Sequence, residues 1–258
     1  MRSNPSLGFV TTHNHPLFDS LSFAADRGFD HLEVKMNGDG HRRYLQGEED
    51  AIRRELDAGE LDLFVHLPYI LDIGSNHEHV RDGSCRELEA CLEQAAALDA
   101  QKAVVHAESL AWRGDELVDN VLESLVRLED YASALDIELC AENPLRGTIP
   151  VPSFDQVFET TDVSMTLDTG HARCDGLSSR DIAAFVADNA DRISHMHLNE
   201  TAGESDDHLP FGEGTIDFEA IFAALPDDWD GTLSLEIKTQ GFEPIGESKR
   251  RLENLLAE

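Results

Sequence analysis

The stretch Lys102-Ala-Val-Val-His106 shows the pattern that decides the fold, because it is a short apolar run that ends in a histidine. Similar runs occur from one end of the chain to the other. They cover residues 7–10, 31–35, 61–67, 102–106, 137–141, 164–168, 193–199 and 232–238. Short runs that are rich in Val, Ile, Leu and Phe are typical of parallel strands buried on both faces.

Amphipathic stretches separate these runs, and the longest covers residues 75–98. The sequences Ser153-x-x-Gln156 and Ser178-x-x-Asp181 resemble capping boxes and predict two helix starts. Strands that alternate with helices pair in parallel through right-handed crossovers. We therefore predict an α/β fold in which residues 1–258 form a single (β/α)8 TIM barrel domain. The alternative is an open doubly wound sheet, which is disfavoured because no Gly-x-Gly-x-x-Gly follows the first run.

Acidic residues dominate the composition, with 52 Asp and Glu against 20 Lys and Arg and a formal net charge of −32. These charges repel one another at low salt, whereas a Debye length of about 3 Å at about 1 M salt screens them. The composition favours a halophilic protein from a salt-rich cytoplasm over a generic acidic surface. It argues against binding to nucleic-acid phosphates, which needs clustered bases.

The sequence contains no apolar run near the length of about 20 residues that spans a bilayer. Its first residues, Met-Arg-Ser-Asn-Pro, lack the apolar segment of a signal peptide. We therefore expect a cytoplasmic protein that has no membrane partner.

Metal-ligand residue types lie at or just after the ends of six consecutive runs, the third to the eighth. These residues are His66, His106, Glu142, Asp168, His171, His197 and Glu236, with Asp206 and His208 in the loop after the seventh run. Imidazole and carboxylate ligands suit divalent cations such as Zn, Mn or Mg. Each residue alone is better explained as a satisfied polar core residue or a solvated one. The whole set predicts a metal centre, because buried carboxylates need pairing or a cation and the chain has few bases.

Strand periodicity adds detail, because residues two apart share a face. Glu33 and Lys35 therefore lie together, and His195 is expected one layer deeper than His197, as a neutral buried imidazole with a backbone partner. The other histidines outside the ligand set are predicted at the surface (His31, His41, His77 and His79) or at either a substrate contact or a solvated helix start (His13 and His15).

These motifs resemble those of the xylose isomerase-like barrel superfamily, which contains sugar isomerases, sugar epimerases and endonuclease IV, the type member of AP endonuclease family 2. The resemblance covers nearly the whole chain. Its most specific pieces are His66-Leu-Pro-Tyr69, Glu142-Asn143, Asp168-Thr-Gly-His171, His197-Leu-Asn199-Glu200 and Asp206-Asp-His208 followed by Phe211-Gly-Glu-Gly214.

The resemblance implies one of two metal centres. A sugar epimerase would hold one ion with Glu142, Asp168, His197 and Glu236. Endonuclease IV would hold three zinc ions with nine matching residues. These are His66, His106 and Glu142 for the first ion, Glu142, Asp168, His197 and Glu236 for the second, and His171, Asp206 and His208 for the third.

Charge counting separates the two centres. One divalent ion and the three carboxylates of the epimerase set give the site a net charge of about −1, which suits a neutral sugar. Three divalent ions and four carboxylates give a net charge of about +2, which suits a phosphate. Against the second reading, the loops after the first two runs are short and no basic aromatic surface is evident.

The favoured prediction is a divalent-metal-dependent isomerase or epimerase that transfers a proton through an enediolate of a sugar or sugar phosphate. Glu142 and Glu236 would act as base and acid, and substrate contacts are assigned to His171, Asn143, Lys238 and Tyr69. One alternative is a trinuclear-zinc phosphodiesterase acting on abasic DNA or another phosphate ester, and a third is a metal-binding barrel without turnover.

Overall fold

The structure is a computed structural model that describes residues 5–110 and 116–257. Eight strands close a barrel in the order β1 to β8, and every neighbouring pair, β1 with β8 included, is parallel. The strands are β1 (Ser6–Val10), β2 (His31–Lys35), β3 (Asp62–His66), β4 (Lys102–His106), β5 (Glu138–Glu142), β6 (Ser164–Asp168), β7 (Ile193–Leu198) and β8 (Thr232–Leu235). This closed sheet confirms the (β/α)8 TIM barrel and excludes the open sheet.

Ten α-helices lie in the described ranges, and most of them pack outside the barrel. They are α1 (Leu17–Asp26), α2 (Arg42–Leu45), α3 (Glu49–Gly59), α4 (Glu78–Ala97), α5 (Glu116–Ser133), α6 (Asp155–Thr160), α7 (Thr169–Cys174), α8 (Ser179–Asn189), α9 (Phe218–Phe222) and α10 (Glu243–Leu256). Two 3-10 helices cover Gly38–Gly40 and Val151–Ser153. Within the described ranges, no helix combines the length and the apolar character that a membrane span requires.

The predicted strand bounds agree with the structure for β2, β4 and β6, whereas β8 ends three residues earlier than predicted. After Leu235 the chain leaves the sheet, because the backbone N–H of Lys238 donates to the carbonyl of His208 in the loop that follows β7. Glu236 and Lys238 therefore lie just beyond the strand, at the mouth of the barrel.

One of the two predicted capping boxes forms. Ser178 and Asp181 exchange both hydrogen bonds at the start of α8. The prediction at Ser153 is wrong, because Ser153 lies inside a 3-10 turn whose first residues include Pro152. Proline already favours the helical φ at this position, so the turn begins before the serine.

The predicted surface position of His31 is also wrong. His31 is fully buried inside the barrel, where its ring nitrogens lie 2.9 Å from Ser6 Oγ and 3.1 Å from Ser234 Oγ. Its ring stacks on Phe64 at a centroid distance of 4.2 Å. Because side chains alternate along a strand, His31 shares the inward face of Glu33. Gly8 makes room for it, since a Cβ there would lie 2.1 Å from the imidazole.

The large apolar core lies between the barrel and the helices, and outward strand residues such as Leu63 and Val65 belong to it. The barrel interior is polar by comparison, with His31, Glu33 and His195 all buried there. The apolar shell thus stabilises the fold, while the interior and the carboxyl ends of the strands are available for chemistry.

Candidate metal centre

Four predicted ligands meet at the carboxyl ends of the strands. Glu142 ends β5, Asp168 ends β6, His197 lies in β7, and Glu236 follows β8. Each contributes one ligand atom to a group in which all four atoms lie within 4.8 Å of one another. All four residues are buried. Three carboxylates and one imidazole thus converge in a space of the size that one cation requires.

Four polar atoms of this group lack hydrogen-bond partners among the described residues. Both carboxylate oxygens of Glu142, Nδ1 of His197 and Oε2 of Glu236 are buried, and none of the described residues gives them a hydrogen bond. His197 Nδ1 lies 3.5 Å from Glu142 Oε1 and 3.4 Å from Glu236 Oε2. Buried polar atoms without partners cost free energy unless something satisfies them. A divalent cation fits this donor set, because hard oxygen and imidazole lone pairs face the same point.

Two further histidines point at Glu142 from the neighbouring strands. Nε2 of His66 and Nε2 of His106 lie 3.3 and 3.1 Å from Glu142 Oε2. Their other ring nitrogens are occupied, since Nδ1 of His66 lies 2.9 Å from the carbonyl of Leu67 and Nδ1 of His106 lies 3.1 Å from Glu108 Oε1. A histidine that donates through one nitrogen presents the other as a metal ligand, so both rings are oriented for ligation.

The remaining three predicted ligands, His171, Asp206 and His208, lie next to the first four at the mouth. His208 Nε2 lies 2.7 Å from Asp206 Oδ2, and His171 Nε2 lies 3.8 Å from Asp206 Oδ1. Asp206 Oδ1 also accepts a hydrogen bond of 2.7 Å from Asn199 Nδ2. His208 has a left-handed φ of 49°, which is uncommon outside glycine and found at functional positions. Asp206 and His208 already satisfy each other, so an ion bound here would have to displace that contact.

The four predicted substrate contacts differ in position. His171 is buried and its Nδ1 lies 3.3 Å from Glu142 Oε1. Tyr69 is 47% exposed, with its ring centroid 5.9 Å from that of His106. The Lys238 side chain is 63% exposed and reaches within 3.5 Å of Asp206 Oδ2. These three side chains surround the group of metal-ligand residues.

The Asn143 side chain does not point toward a substrate. Its Nδ2 donates to the carbonyl of Asp168 at 3.0 Å, and its Oδ1 accepts the backbone N–H of Asp168 at 2.8 Å. Both side-chain groups are therefore engaged with the backbone of β6. Asn143 fixes the position of Asp168, and its own carbonyl oxygen lies 3.0 Å from His171 Nδ1. The residue pattern alone did not distinguish this backbone contact from a substrate contact.

Sequence reasoning missed two contacts that shape the site. Lys35 Nζ lies 2.5 Å from Glu236 Oε1, which leaves Oε2 of that carboxylate directed at the metal-ligand group. Glu33 Oε1 lies 2.9 Å from His197 Nε2, and Glu33 Oε2 lies 3.0 Å from His195 Nε2. The strand period of two indicated that Glu33 and Lys35 point inward, but the residues that they meet come from strands far away in sequence.

His195 is buried as expected, one layer below His197. Its predicted backbone partner is wrong, because the ring bonds to the side chains of Glu33 and, at 2.6 Å, Thr232. Burial lowers the pKa of His195 below its usual value, so the ring is neutral. His195 Nε2 contacts Glu33 Oε2 and so helps to position that carboxylate.

Burial and nearby charges shift the pKa values of the three carboxylates in different directions. Burial raises the pKa of Asp168 to about 6, and the negative charges of Glu142 and Glu236 add to that effect against the opposing His171. Burial would also raise the pKa of Glu142 and of Glu236. The positive charges around them, from His106 and His197 for Glu142 and from Lys35 and His208 for Glu236, outweigh burial and hold both pKa values well below normal.

The histidines respond in the opposite direction. Burial would lower the pKa of His106, but Glu142 and Glu108 outweigh it and raise the pKa to about 9. The same balance between burial and nearby carboxylates holds the pKa of His171 and of His197 well above the usual value. The side chains alone therefore neutralise their carboxylates with protons on histidine. A divalent cation would take over that role and release the protons.

A cavity of about 560 Å³ opens beside the metal-ligand group, between the loops that follow β1, β2 and β8. Its lining includes Thr12, His15, Lys35, Asn37, Tyr69 and Lys238. This volume lies in the range of small-molecule sites. Lys35 links the two regions, because it lines the cavity and also contacts Glu236.

The sequence also matches a known protein family over most of its length. Residues 21–256 match the family model described as the xylose isomerase-like TIM barrel. The chain belongs to that family. The closed eight-stranded barrel agrees with that description.

The similar proteins include one named as a probable endonuclease, one that is uncharacterized and one named as epimerase-like. A probable endonuclease 4 of Mycobacterium tuberculosis is 26% identical over 84% of this chain and 88% of its own length. An uncharacterized protein of Methanocaldococcus jannaschii is 28% identical over 86% of this chain and 79% of its own. Among solved structures, a D-tagatose 3-epimerase-like protein superposes with a TM-score of 0.84 at 25% identity, covering 98% of this chain and 97% of that one.

Proposed function

We propose that this family member is a divalent-metal-dependent isomerase or epimerase that acts on a sugar or sugar phosphate by proton transfer next to a carbonyl group. The observation that carries the proposal is the pair of buried carboxylates, Glu142 and Glu236, whose unbonded oxygens face His197 Nδ1 beside a cavity of small-molecule size. The likeness to the D-tagatose 3-epimerase-like protein supports this choice.

Glu142, Asp168, His197 and Glu236 would hold the cation, which could be Zn, Mn or Mg. When bound, the ion would polarise the substrate oxygens and stabilise negative charge on them. The protein holds these ligands with its own hydrogen bonds. Asp168 Oδ1, for example, accepts the backbone N–H of His171 at 2.6 Å. Hydrogen bonds of this kind hold the side chains that would bind the metal in a fixed geometry.

The two glutamates would move the proton. Glu142 comes from β5 and Glu236 follows β8, so two strands separate them and a substrate carbon between them meets one carboxylate on each side. Lys35 holds Glu236 Oε1 and favours the ionised form, which makes Oε2 the acceptor of a substrate proton. Glu142, which is ionised in the resting site, would take up a proton from solvent and return it to the other face, and Glu236 would release its proton to solvent to complete the cycle. Removal and return on opposite faces inverts a carbon centre, as an epimerase requires.

The test is the exchange of a substrate hydrogen for deuterium in D₂O. Metal-loaded protein is incubated with a panel of keto sugars and their phosphates, and proton NMR follows the C–H next to the carbonyl. We expect deuterium to enter at that carbon for at least one substrate, and expect EDTA or the Glu236→Gln substitution to abolish the exchange. The exposed Glu253→Gln variant at the far side of α10 is the matched control and should exchange at the parental rate. Absence of exchange from every substrate with metal-loaded protein would contradict the proposal.

A phosphodiesterase of the endonuclease IV type is the second candidate, and one observation favours it. Both His66 Nε2 and His106 Nε2 are directed at Glu142 Oε2, as a second ion at that oxygen would require. With the Asp206 group, all nine expected ligands lie at one mouth of the barrel. The net charge of −32 opposes DNA binding. Metal-dependent nicking of an abasic-site duplex that is lost in a His66→Ala variant would reverse the order of the two proposals.

A further inference from the structure

The cavity beside the metal-ligand group concentrates positive charge and hydrogen-bond donors in a strongly acidic protein. The chain has 4 lysines among 258 residues, and two of them, Lys35 and Lys238, line this one cavity. Among the described residues that line it, Asp39 is the only carboxylate, and it is exposed. In a chain with 52 acidic residues, such a lining favours an anionic ligand.

Two buried nitrogens in the cavity wall have no partner among the described residues. They are Nε2 of His15 and Nδ2 of Asn37. His15 is 4% exposed, and its ring stacks on Phe242 at a centroid distance of 4.2 Å. Burying a hydrogen-bond donor without a partner costs free energy, and a ligand that accepts hydrogen bonds from these groups would recover that cost.

The hydrogen bonds around Thr12 are compatible with a His15 ring that carries its proton on Nε2. Thr12 Oγ1 accepts the backbone N–H of Asn14 at 3.3 Å, so its own proton can donate to His15 Nδ1 at 3.2 Å. Burial, with a smaller effect of His13, lowers the pKa of His15, so the ring is neutral near pH 7. In the tautomer that accepts this hydrogen bond at Nδ1, the single ring proton lies on Nε2, which makes this nitrogen a donor, as is Nδ2 of Asn37.

Four donor groups thus surround the cavity, namely His15 Nε2, Asn37 Nδ2 and the ammonium groups of Lys35 and Lys238. Lys35 directs one N–H at Glu236 and Lys238 lies 3.5 Å from Asp206 Oδ2, but each ammonium group has three N–H groups and so keeps others to donate. A phosphate monoester has three terminal oxygens that only accept hydrogen bonds at neutral pH, and so matches this set better than hydroxyl groups, which also need acceptors.

We infer that this cavity binds a phosphate group at the non-reacting end of the substrate, so that the substrate class is a sugar phosphate. The inference rests on the proposed function for the reacting end, at Glu142 and Glu236. Lys35 would serve both ends, because it contacts Glu236 on one side and lines the phosphate cavity on the other. Binding energy from the phosphate would then help to place the reacting carbon between the two glutamates.

The test measures binding of inorganic phosphate to the metal-loaded full chain by isothermal titration calorimetry, with KCl adjusted to constant ionic strength. Asn37→Asp preserves the side-chain shape but replaces the donor with a carboxylate, and it should weaken phosphate binding by about tenfold or more, equivalent to the loss of one charged hydrogen bond. His15→Phe keeps the stacking on Phe242 and removes the donor, and Lys238→Gln removes a charge. Each should weaken binding about threefold or more.

Arg54→Gln is the charge-matched control, because Arg54 is exposed on α3 away from the cavity. We expect phosphate affinity in that variant to stay within about twofold of the parent. Phosphate that binds all variants equally, as it would if the metal centre alone held it, or that does not bind at all, would overturn the inference. Solvent exchange with neutral keto sugars would in that case still support the proposed function. Phosphate binding that depends on the cavity residues without any exchange would sink the proposed function and keep the phosphate site.

Discussion

Glu33 Oε1 lies 2.9 Å from His197 Nε2, and this contact decides which nitrogen of His197 faces the metal-ligand group. The carboxylate occupies Nε2, so Nδ1 is left directed at Glu142 and Glu236. Glu33 is itself held by His195 from the layer below. A chain of contacts therefore runs from the barrel interior to the mouth and fixes one metal ligand in one orientation.

The Glu33→Gln variant tests that chain. Loss of the carboxylate should weaken metal affinity by about 10- to 100-fold, the usual effect of removing an outer partner of a metal-bound histidine. Competition with a chromophoric chelator measures the affinity, and circular dichroism checks that the variant folds. Glu253→Gln, on the exposed face of α10, is the control. Unchanged affinity in a folded Glu33→Gln protein would show that His197 needs no support from Glu33.

Lys35→Met should change the pH dependence of turnover. Lys35 is the leading positive charge that holds the pKa of Glu236 below its usual range against the effect of burial. Its removal raises that pKa, so the acidic limb of the kcat/KM profile should move to higher pH by about one unit or more. Lys249→Met, which removes a lysine from α10, is the matched control. An acidic limb at the same pH in the parent and in Lys35→Met would show that Lys35 does not control the pKa of Glu236.

Metal binding should release protons, because the side chains alone raise the pKa of His106 to about 9. Apparent metal affinity should therefore rise by about tenfold per pH unit for each proton displaced, up to about pH 9. Glu108→Gln removes a carboxylate that supports this raised pKa, so the rise should end at lower pH. Calorimetry in buffers of different ionisation enthalpy counts the protons. An affinity that is independent of pH below 9 would contradict the expected protonation of His106.

The same pKa has a consequence for stability once the metal is stripped. A raised histidine pKa stabilises the fold fully below its unfolded value of 6.5, and this contribution disappears as pH rises through about 9. The free energy of unfolding of stripped protein should fall over that interval, and the fall should be smaller in His106→Gln. Urea titrations at several pH values measure it. If the free energy of unfolding falls equally with pH in the parent and in His106→Gln, His106 does not cause the fall.

The acidic composition predicts that salt stabilises the protein. Raising KCl from about 0.1 M to about 2 M screens repulsion among the carboxylates and should raise the melting temperature by about 10 °C or more. Thermal unfolding followed by circular dichroism measures this change. A melting temperature that is constant or falls with KCl would favour the generic acidic surface over the salt-rich setting.

Much of the barrel followed from local pattern. β2, β4 and β6 have the bounds that the sequence runs predicted. In β2 only Leu32 and Val34 belong to the apolar core, so the outward face was enough to mark the strand. The errors have local causes. His31 was assigned to the surface, although it lies two residues before Glu33 and so shares its inward face. Ser153 was assigned as a cap, although Pro152 had already begun a turn.

The candidate site was predictable to the extent that the barrel brings strand ends together. Residues at those ends, such as Glu142 and Asp168, had to meet once the sheet closed. The pairings across the barrel were not predictable, because Lys35 and Glu236 lie 201 residues apart and Glu33 and His197 lie 164 apart. Periodicity gives the face on which a side chain lies but not its partner across the interior.

The central claim is that Glu142, Asp168, His197 and Glu236 hold a divalent cation. Anomalous diffraction from crystals of protein purified without chelators, collected at the absorption edges of Zn and Mn, tests it most directly and also counts the ions. We expect a peak within coordination distance of Glu142, His197 and Glu236, with one such ion for a sugar isomerase or epimerase and three for the phosphodiesterase. Crystals soaked in either metal that show no anomalous peak among these residues would contradict it.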